Sequence, residues 1–240
     1  FDRSDMEKFS QTFLLIANDF LNGQEFDSAY KIYSEALTKI CRGRSKSKKT
    51  FFRNAHIVAL AKNDVAAAKS MINLGYKCKI PASDLETAQM DVIRNYADEN
   101  QLNDMMSEVN KVDNVAKLQG ELIPYLDIYR KALISAGRDT RAIDKRILKF
   151  FYTSKKRGYS LPVGALDAVA TIKSGDLEIL LARLVSIELK FPENSYNKAL
   201  QQKLAMLDQL TERSKAVMTV GSGLGIAKAY RILVDSYTHV

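Results

Sequence analysis

The chain is poor in the residues that build reactive sites. Its 240 residues include no tryptophan, two histidines and two cysteines. His56 and His239 are far apart, and no Cys-x-x-Cys or histidine pair is present, so the ligand spacings of a zinc site are missing. No Ser/His/Asp or Cys/His set can be assembled, and carboxylate pairs are no more frequent than chance. Neither an enzyme nor a bound metal or other cofactor is expected. His56 falls mid-helix and reads as packing. Cys41 and Cys78 read as two free thiols of a reducing compartment. No apolar run approaches the ~18 residues that span a bilayer, so no membrane span is expected. No signal-peptide pattern is visible, and the chain opens on Phe1, as a fragment or processed form would.

Turn formers are also scarce. Eleven glycines and four prolines are too few for a succession of short strands and tight turns. Apolar residues make up 46% of the chain, enough for a continuous core. Their spacing is helical, with steps of three and four. Phe13, Ile16, Ala17 and Phe20 form one stripe, and Ala29, Ile32, Tyr33, Ala36, Leu37 and Ile40 form the next. The small Ala17, Ala29 and Ala36 would let two helices approach closely.

Five small-or-polar pairs punctuate these stripes: Asn22-Gly23, Asn63-Asp64, Glu99-Asn100, Ala136-Gly137 and Ser174-Gly175. Their second residues lie 41, 36, 37 and 38 positions apart. A repeat of that length, each unit holding two amphipathic stripes, is the mark of stacked helical hairpins. The expected fold is all-α, a right-handed α-solenoid of about six helix-turn-helix repeats. Residues 1–192 form the array, and 193–240 a degenerate repeat or capping helices. Ser83 and Glu86 are spaced as a capping box opening the third hairpin. The fourth hairpin is expected to start near Pro124. The fifth, from about Pro162 to Phe191, is the most apolar and belongs inside the stack. Residues 195–218 read as one long helix. Gly221-Ser222-Gly223-Leu224-Gly225 lacks the spacing of a phosphate-binding loop and reads as a turn before a last helix over 226–237.

The net charge is +8, which favours an anionic partner: nucleic acid, an acidic protein or an acidic membrane surface. One cluster is Arg42, Arg44, Lys46, Lys48 and Lys49, with Arg53 just beyond. Another is Arg141, Lys145 and Lys149, a one-face spacing of four, with Arg146, Lys155, Lys156 and Arg157 nearby. Either would contact phosphates without reading sequence, or is a solvated surface. The aromatic residues beside them, Phe51, Phe52, Tyr125, Tyr129, Phe150, Phe151 and Tyr152, have mainly core spacing, with base stacking as the alternative.

Thr50-Phe51-Phe52-Arg53-Asn54, Val58 to Asp64, Ala67-Ala68-Lys69-Ser70-Met71, Gly75 and Pro81 together resemble a pentatricopeptide repeat. Leu133 to Arg138, Ala142 and Gly158 to Pro162 follow the same pattern, as does Ile172 to Leu177. The first hairpin, through Ala17, Phe20, Ala29, Tyr33 and Ala36, resembles a tetratricopeptide repeat instead. Together the resemblances cover roughly residues 10–192. The first implies binding of single-stranded RNA in an organelle, one base per repeat, with Asn54 and Asp127 at early-helix positions that face bases. It implies a role in RNA stability, processing or translation in the mitochondrial matrix, or otherwise in the cytoplasm, in a ribonucleoprotein. The second implies a scaffold for a protein partner within a larger assembly.

Overall fold

The computed structural model describes residues 3–43 and 45–239. Arg44, one of the candidate phosphate contacts, lies outside the described residues. Among those residues the chain is all-α and holds eleven helices and no strand. It forms two compact units, Phe1–Val112 and Asp113–Val240. The expected boundary at 192/193 falls inside the second unit, just before its longest helix.

The first unit holds α1 (Arg3–Asn22), α2 (Phe26–Ile40), α3 (Lys48–Ala61), α4 (Val65–Lys77), α5 (Ala82–Asp98) and α6 (Leu102–Val112). The second holds α7 (Gln119–Ser135), α8 (Arg141–Lys156), α9 (Val163–Ser186), α10 (Glu193–Met218) and α11 (Gly223–Thr238). Each helix packs on its neighbour in sequence within the unit, and α3 also meets α5, α7 meets α9, and α9 meets α11. Contacts that reach only one or two elements along the chain define a solenoid stack. Within each unit the odd-numbered helices are called the A layer and the even-numbered helices the B layer. The described residues make five A/B pairs, and α11 is an A helix without a B partner.

The hairpin turns repeat one backbone device. Gln24, Asn63, Asn100 and Gly137 have φ of 60°, 57°, 55° and 66°, the left-handed conformation that ends a helix. The N–H of the next residue then returns to a carbonyl five residues back: Glu25 to Phe20 at 2.8 Å, Asp64 to Ala59 at 2.9 Å, Gln101 to Tyr96 at 2.8 Å and Arg138 to Leu133 at 2.8 Å. Lys79 and Gly158 end α4 and α8 in the same way.

The fifth pair breaks the pattern. Ser174-Gly175 lies inside α9, a single helix of 24 residues. The Ser174 hydroxyl is buried and donates to the Ala170 carbonyl one turn back at 2.7 Å, and nothing crowds Gly175. A mid-helix glycine costs ~1 kcal/mol against alanine, which the burial of Leu177, Leu180 and Leu184 outweighs. The apolar character of this segment does place it inside its stack, with α9 packed on α7, α8, α10 and α11.

Two further expectations shift. Pro81 rather than Ser83 precedes α5, so the capping box is not used. The fourth hairpin starts at Gln119, five residues before Pro124, which stands inside α7. Ala17, Ala29 and Ala36 are fully buried, as close helix approach requires. The glycine-rich turn is a helix cap: Ser222 accepts from Gly225 N–H at 3.0 Å and donates to Asp167 of α9 at 2.6 Å. Among the described residues no helix is long and apolar enough to cross a membrane.

The two cysteines are not free thiols. Cys41 and Cys78 form a disulfide, their Cα atoms 4.6 Å apart and 37 residues apart in sequence. Each directly follows a B helix, α2 or α4, so stacking one hairpin on the next brings these equivalent positions together.

Candidate functional site

The first unit's A layer contains a small cavity between α3 and α5. Phe52, Arg53, His56 and Ile57 of α3 form one wall, and Asp84, Thr87, Ala88 and Asp91 of α5 the other. Both sets repeat every three to four positions, so each is one stripe of its helix. The cavity encloses about 50 Å³. His56 is 2% exposed and its Nε2 has no hydrogen-bond partner; Asp84 is 8% exposed and its Oδ2 has none either.

Burial pushes His56 below the ordinary histidine value, against the opposing influence of the Ala68 carbonyl, Asp91 and the Ala88 carbonyl. The ring is therefore neutral near pH 7. Its Nδ1 lies 3.3 Å from the Ala68 carbonyl, which only an N–H can satisfy. Asp84 Oδ1 accepts from Lys49 at 2.9 Å, and Asp91 Oδ1 from Arg94 at 3.0 Å. Ile57, at the cavity's edge, is an exposed apolar side chain.

The expected RNA contacts are placed differently. Asn54 is half-buried and hydrogen-bonds the Tyr33 hydroxyl of α2, while the wall facing α5 is made by positions 52, 53, 56 and 57. Tyr33 in turn donates to Asn18 at 2.5 Å. Asp127 is buried, with its carboxylate 2.8 Å from Lys131 and 3.7 Å from Arg130. Arg130 also donates to Asp144 at 2.5 Å, and Thr140 donates to Asp144 at 2.9 Å.

The basic clusters divide. Lys48 Nζ donates to the Cys41 carbonyl at 2.5 Å and lies 3.4 Å from the Cys78 carbonyl, joining the two backbone ends beside the disulfide. Lys49 holds Asp84. Arg42, Lys46 and Arg53 are exposed. In the second cluster Arg141 grips Asp139 through Nε at 2.8 Å and Nη2 at 2.7 Å, and Arg146 pairs with Asp113 at 3.1 Å. Lys145, Lys149, Lys155, Lys156 and Arg157 are exposed, but on and just after α8, a B helix. Of the adjoining aromatics, Phe51, Phe52, Phe150 and Phe151 are buried, as core spacing implies.

Sequence reasoning passed over His56 and Asp84 as site residues. His56 shares the Phe52 stripe, but Asp84 lies 28 positions further on, and only the stacking of α3 on α5 unites them. Among the described residues no group of three or more His, Cys, Asp or Glu side chains is arranged to hold a metal ion.

No protein-family model matches the chain, and no curated protein matches it. Among solved structures, it is similar to a TPR repeats protein from Bacteroides fragilis NCTC 9343. The identity is 13%, the match covers 96% of this chain and 99% of that one, and the TM-score is 0.49.

Proposed function

We propose that the protein is a non-enzymatic, tetratricopeptide-type scaffold that holds a segment of a protein partner. The observation that carries this reading is the mixed α3–α5 wall, where the exposed apolar Ile57 stands beside the charged Arg53, Asp84 and Asp91. A peptide offers both kinds of group, whereas an RNA backbone calls for a continuous cationic groove. Several candidate phosphate contacts are engaged within the chain: Lys48 on backbone carbonyls, Lys49 on Asp84, and Arg141 on Asp139. RNA binding of pentatricopeptide type keeps one specific support, the exposed cations Lys145, Lys149, Lys155, Lys156 and Arg157 on and after α8.

The disulfide also supports a reading of the compartment. Such bonds persist in oxidising surroundings and are rare where thiols are kept reduced. We therefore propose an oxidising compartment rather than the mitochondrial matrix.

The test compares a random peptide pool with a pool of single-stranded RNA across a salt series, using the oxidised chain. Selection of related peptides, weakened by Ile57→Ala and little changed in a Lys145/Lys149→Ala variant, supports the scaffold. Tight RNA binding that falls steeply with salt and is lost in the lysine variant would replace it with the RNA reading.

A further inference from the structure

We propose that the outer face of α11 is a dimerisation surface, on which a second copy of this chain seats its own α11 in the antiparallel sense. The inference goes beyond the peptide scaffold and uses none of the residues of the α3–α5 wall, so the two stand or fall separately.

α11 has two apolar sides. Gly225, Ala229, Ile232 and Ser236 follow steps of four and three and are buried; they make the side packed on α9 and α10. Ile226, Tyr230, Val234 and Tyr237 follow the same steps elsewhere on the helix and are 44%, 64%, 47% and 61% exposed. At ~100° per residue these four fall within roughly 80° of arc, and the other position of α11 inside that arc is Gly223, so no charge interrupts the row. Single exposed apolar side chains are ordinary, whereas a contiguous row of them marks a contact surface. In the same unit α7 is met by α9, and α9 by α11, so an A helix of this stack is built to receive another helix.

The row fits a copy of itself. It is small at its start, with Gly223 and the adjoining Ala227, and bulky at its end, with Tyr237. Two antiparallel copies with the twofold axis between Tyr230 and Val234 place each Tyr230 opposite Val234 of the second copy, and each Tyr237 opposite Ala227 of the second copy. A parallel pair would set tyrosine on tyrosine and leave the small residues facing each other across a gap. The charges agree with the antiparallel arrangement. Arg231 is exposed and Asp235 half-buried, one turn apart beside the row, and neither side chain is paired within the described chain. Lys228, further round, is already held by Glu178 of α9 at 2.8 Å. About the twofold, Arg231 of each copy comes beside Asp235 of the other, giving two opposite-sign pairs. An isologous interface needs a patch that complements itself in this way, and tyrosine is among the residues enriched at such contacts.

Sedimentation equilibrium of the full oxidised chain, from low micromolar to near-millimolar protein, tests the proposal. A monomer–dimer equilibrium is expected. Tyr230→Glu should weaken it about a hundredfold, since each dimer loses two central contacts, with the circular dichroism unchanged because the side chain is exposed. Arg231→Asp and Asp235→Arg should each weaken self-association about tenfold. An equimolar mixture of these two variants should dimerise about as well as wild type, because opposite signs then meet across the axis; a merely structural role for either residue would not be repaired by mixing. A chain that stays monomeric throughout overturns the proposal, as does a dimer that Tyr230→Glu leaves intact. Failure of the mixture to recover overturns the antiparallel pairing. The net charge of +8 makes bridging by a polyanion the alternative, and a dimer that disappears in high salt would be that bridge and not this contact.

Discussion

His56 shows how burial alone sets the state of a side chain. The ring is packed among Phe52, Ala68 and the α5 wall, with Asp91 and the carbonyls of Ala68 and Ala88 favouring protonation, yet burial keeps it neutral. Its folded pKa lies below the unfolded value, so its contribution to stability is present above about pH 6.5 and lost as pH falls through the folded value. Thermal melts between pH 7.5 and 5.5 are therefore expected to show a loss of stability that His56→Gln reduces. Asp139 is the opposite case, a fully exposed carboxyl held down to about 2 by hydrogen bonds from Arg141. A ¹³C-detected titration should place its midpoint near that value and return it to the ordinary carboxylate range in Arg141→Ala. Because the pair is in water, the melting temperature at neutral pH should hardly move.

At the scale of the element, helix contacts are decided by what stands at the closest approach. α11 meets α9 where Gly225 faces Ala170. A Cβ built on Gly225 would lie 2.5 Å from the Ala170 Cβ, and neither atom belongs to a flexible side chain that can turn away. Gly225→Ala is expected to destabilise the second unit by about 1–3 kcal/mol, the usual penalty of overpacking. Urea denaturation measures it, and Ala170→Gly in the same chain should recover part of the loss. The turns follow the same local logic. Asn63, Asn100 and Gly137 were legible in sequence because few residues accept the left-handed conformation that ends these helices. Gly175 carried the same signal and was misleading. In α9 the apolar positions around it are buried on several helices, and that packing holds the helix through the glycine.

At the scale of the molecule, long-range links join residues about one repeat apart. Cys41 and Cys78 are separated by 37 positions. Tyr30 reaches the Ala67 carbonyl over 37, Lys62 pairs with Asp27 over 35, and Lys69 pairs with Glu108 at 2.7 Å over 39. Stacking turns one repeat of sequence into one step in space, so equivalent positions become neighbours. The disulfide is the strongest of these links. On the chain-entropy account, a closed loop of that length is worth about 4 kcal/mol. Cys41→Ser with Cys78→Ser, or reduction of the wild type, is expected to lower the stability of the first unit by about that amount, read as a fall in the denaturant midpoint.

The sequence alone determined the helical class, most hairpin turns and much of the core. Those depend on periodicity and on local backbone preference, which are written residue by residue. It also held the repeat period that pairs the cysteines, although the free-thiol expectation passed over it. Only the tertiary structure decided which of the basic and polar residues remain available. Lys48 and Lys49 look alike in sequence to any exposed charge, and become engaged because packing brings the Cys78 carbonyl and Asp84 within reach; Arg141 and Asp127 meet partners only two to four residues away. The cavity of His56 and Asp84 has the same origin: neither residue marks a site by itself, and the stacking of α3 on α5 buries both and leaves each with an unpartnered atom.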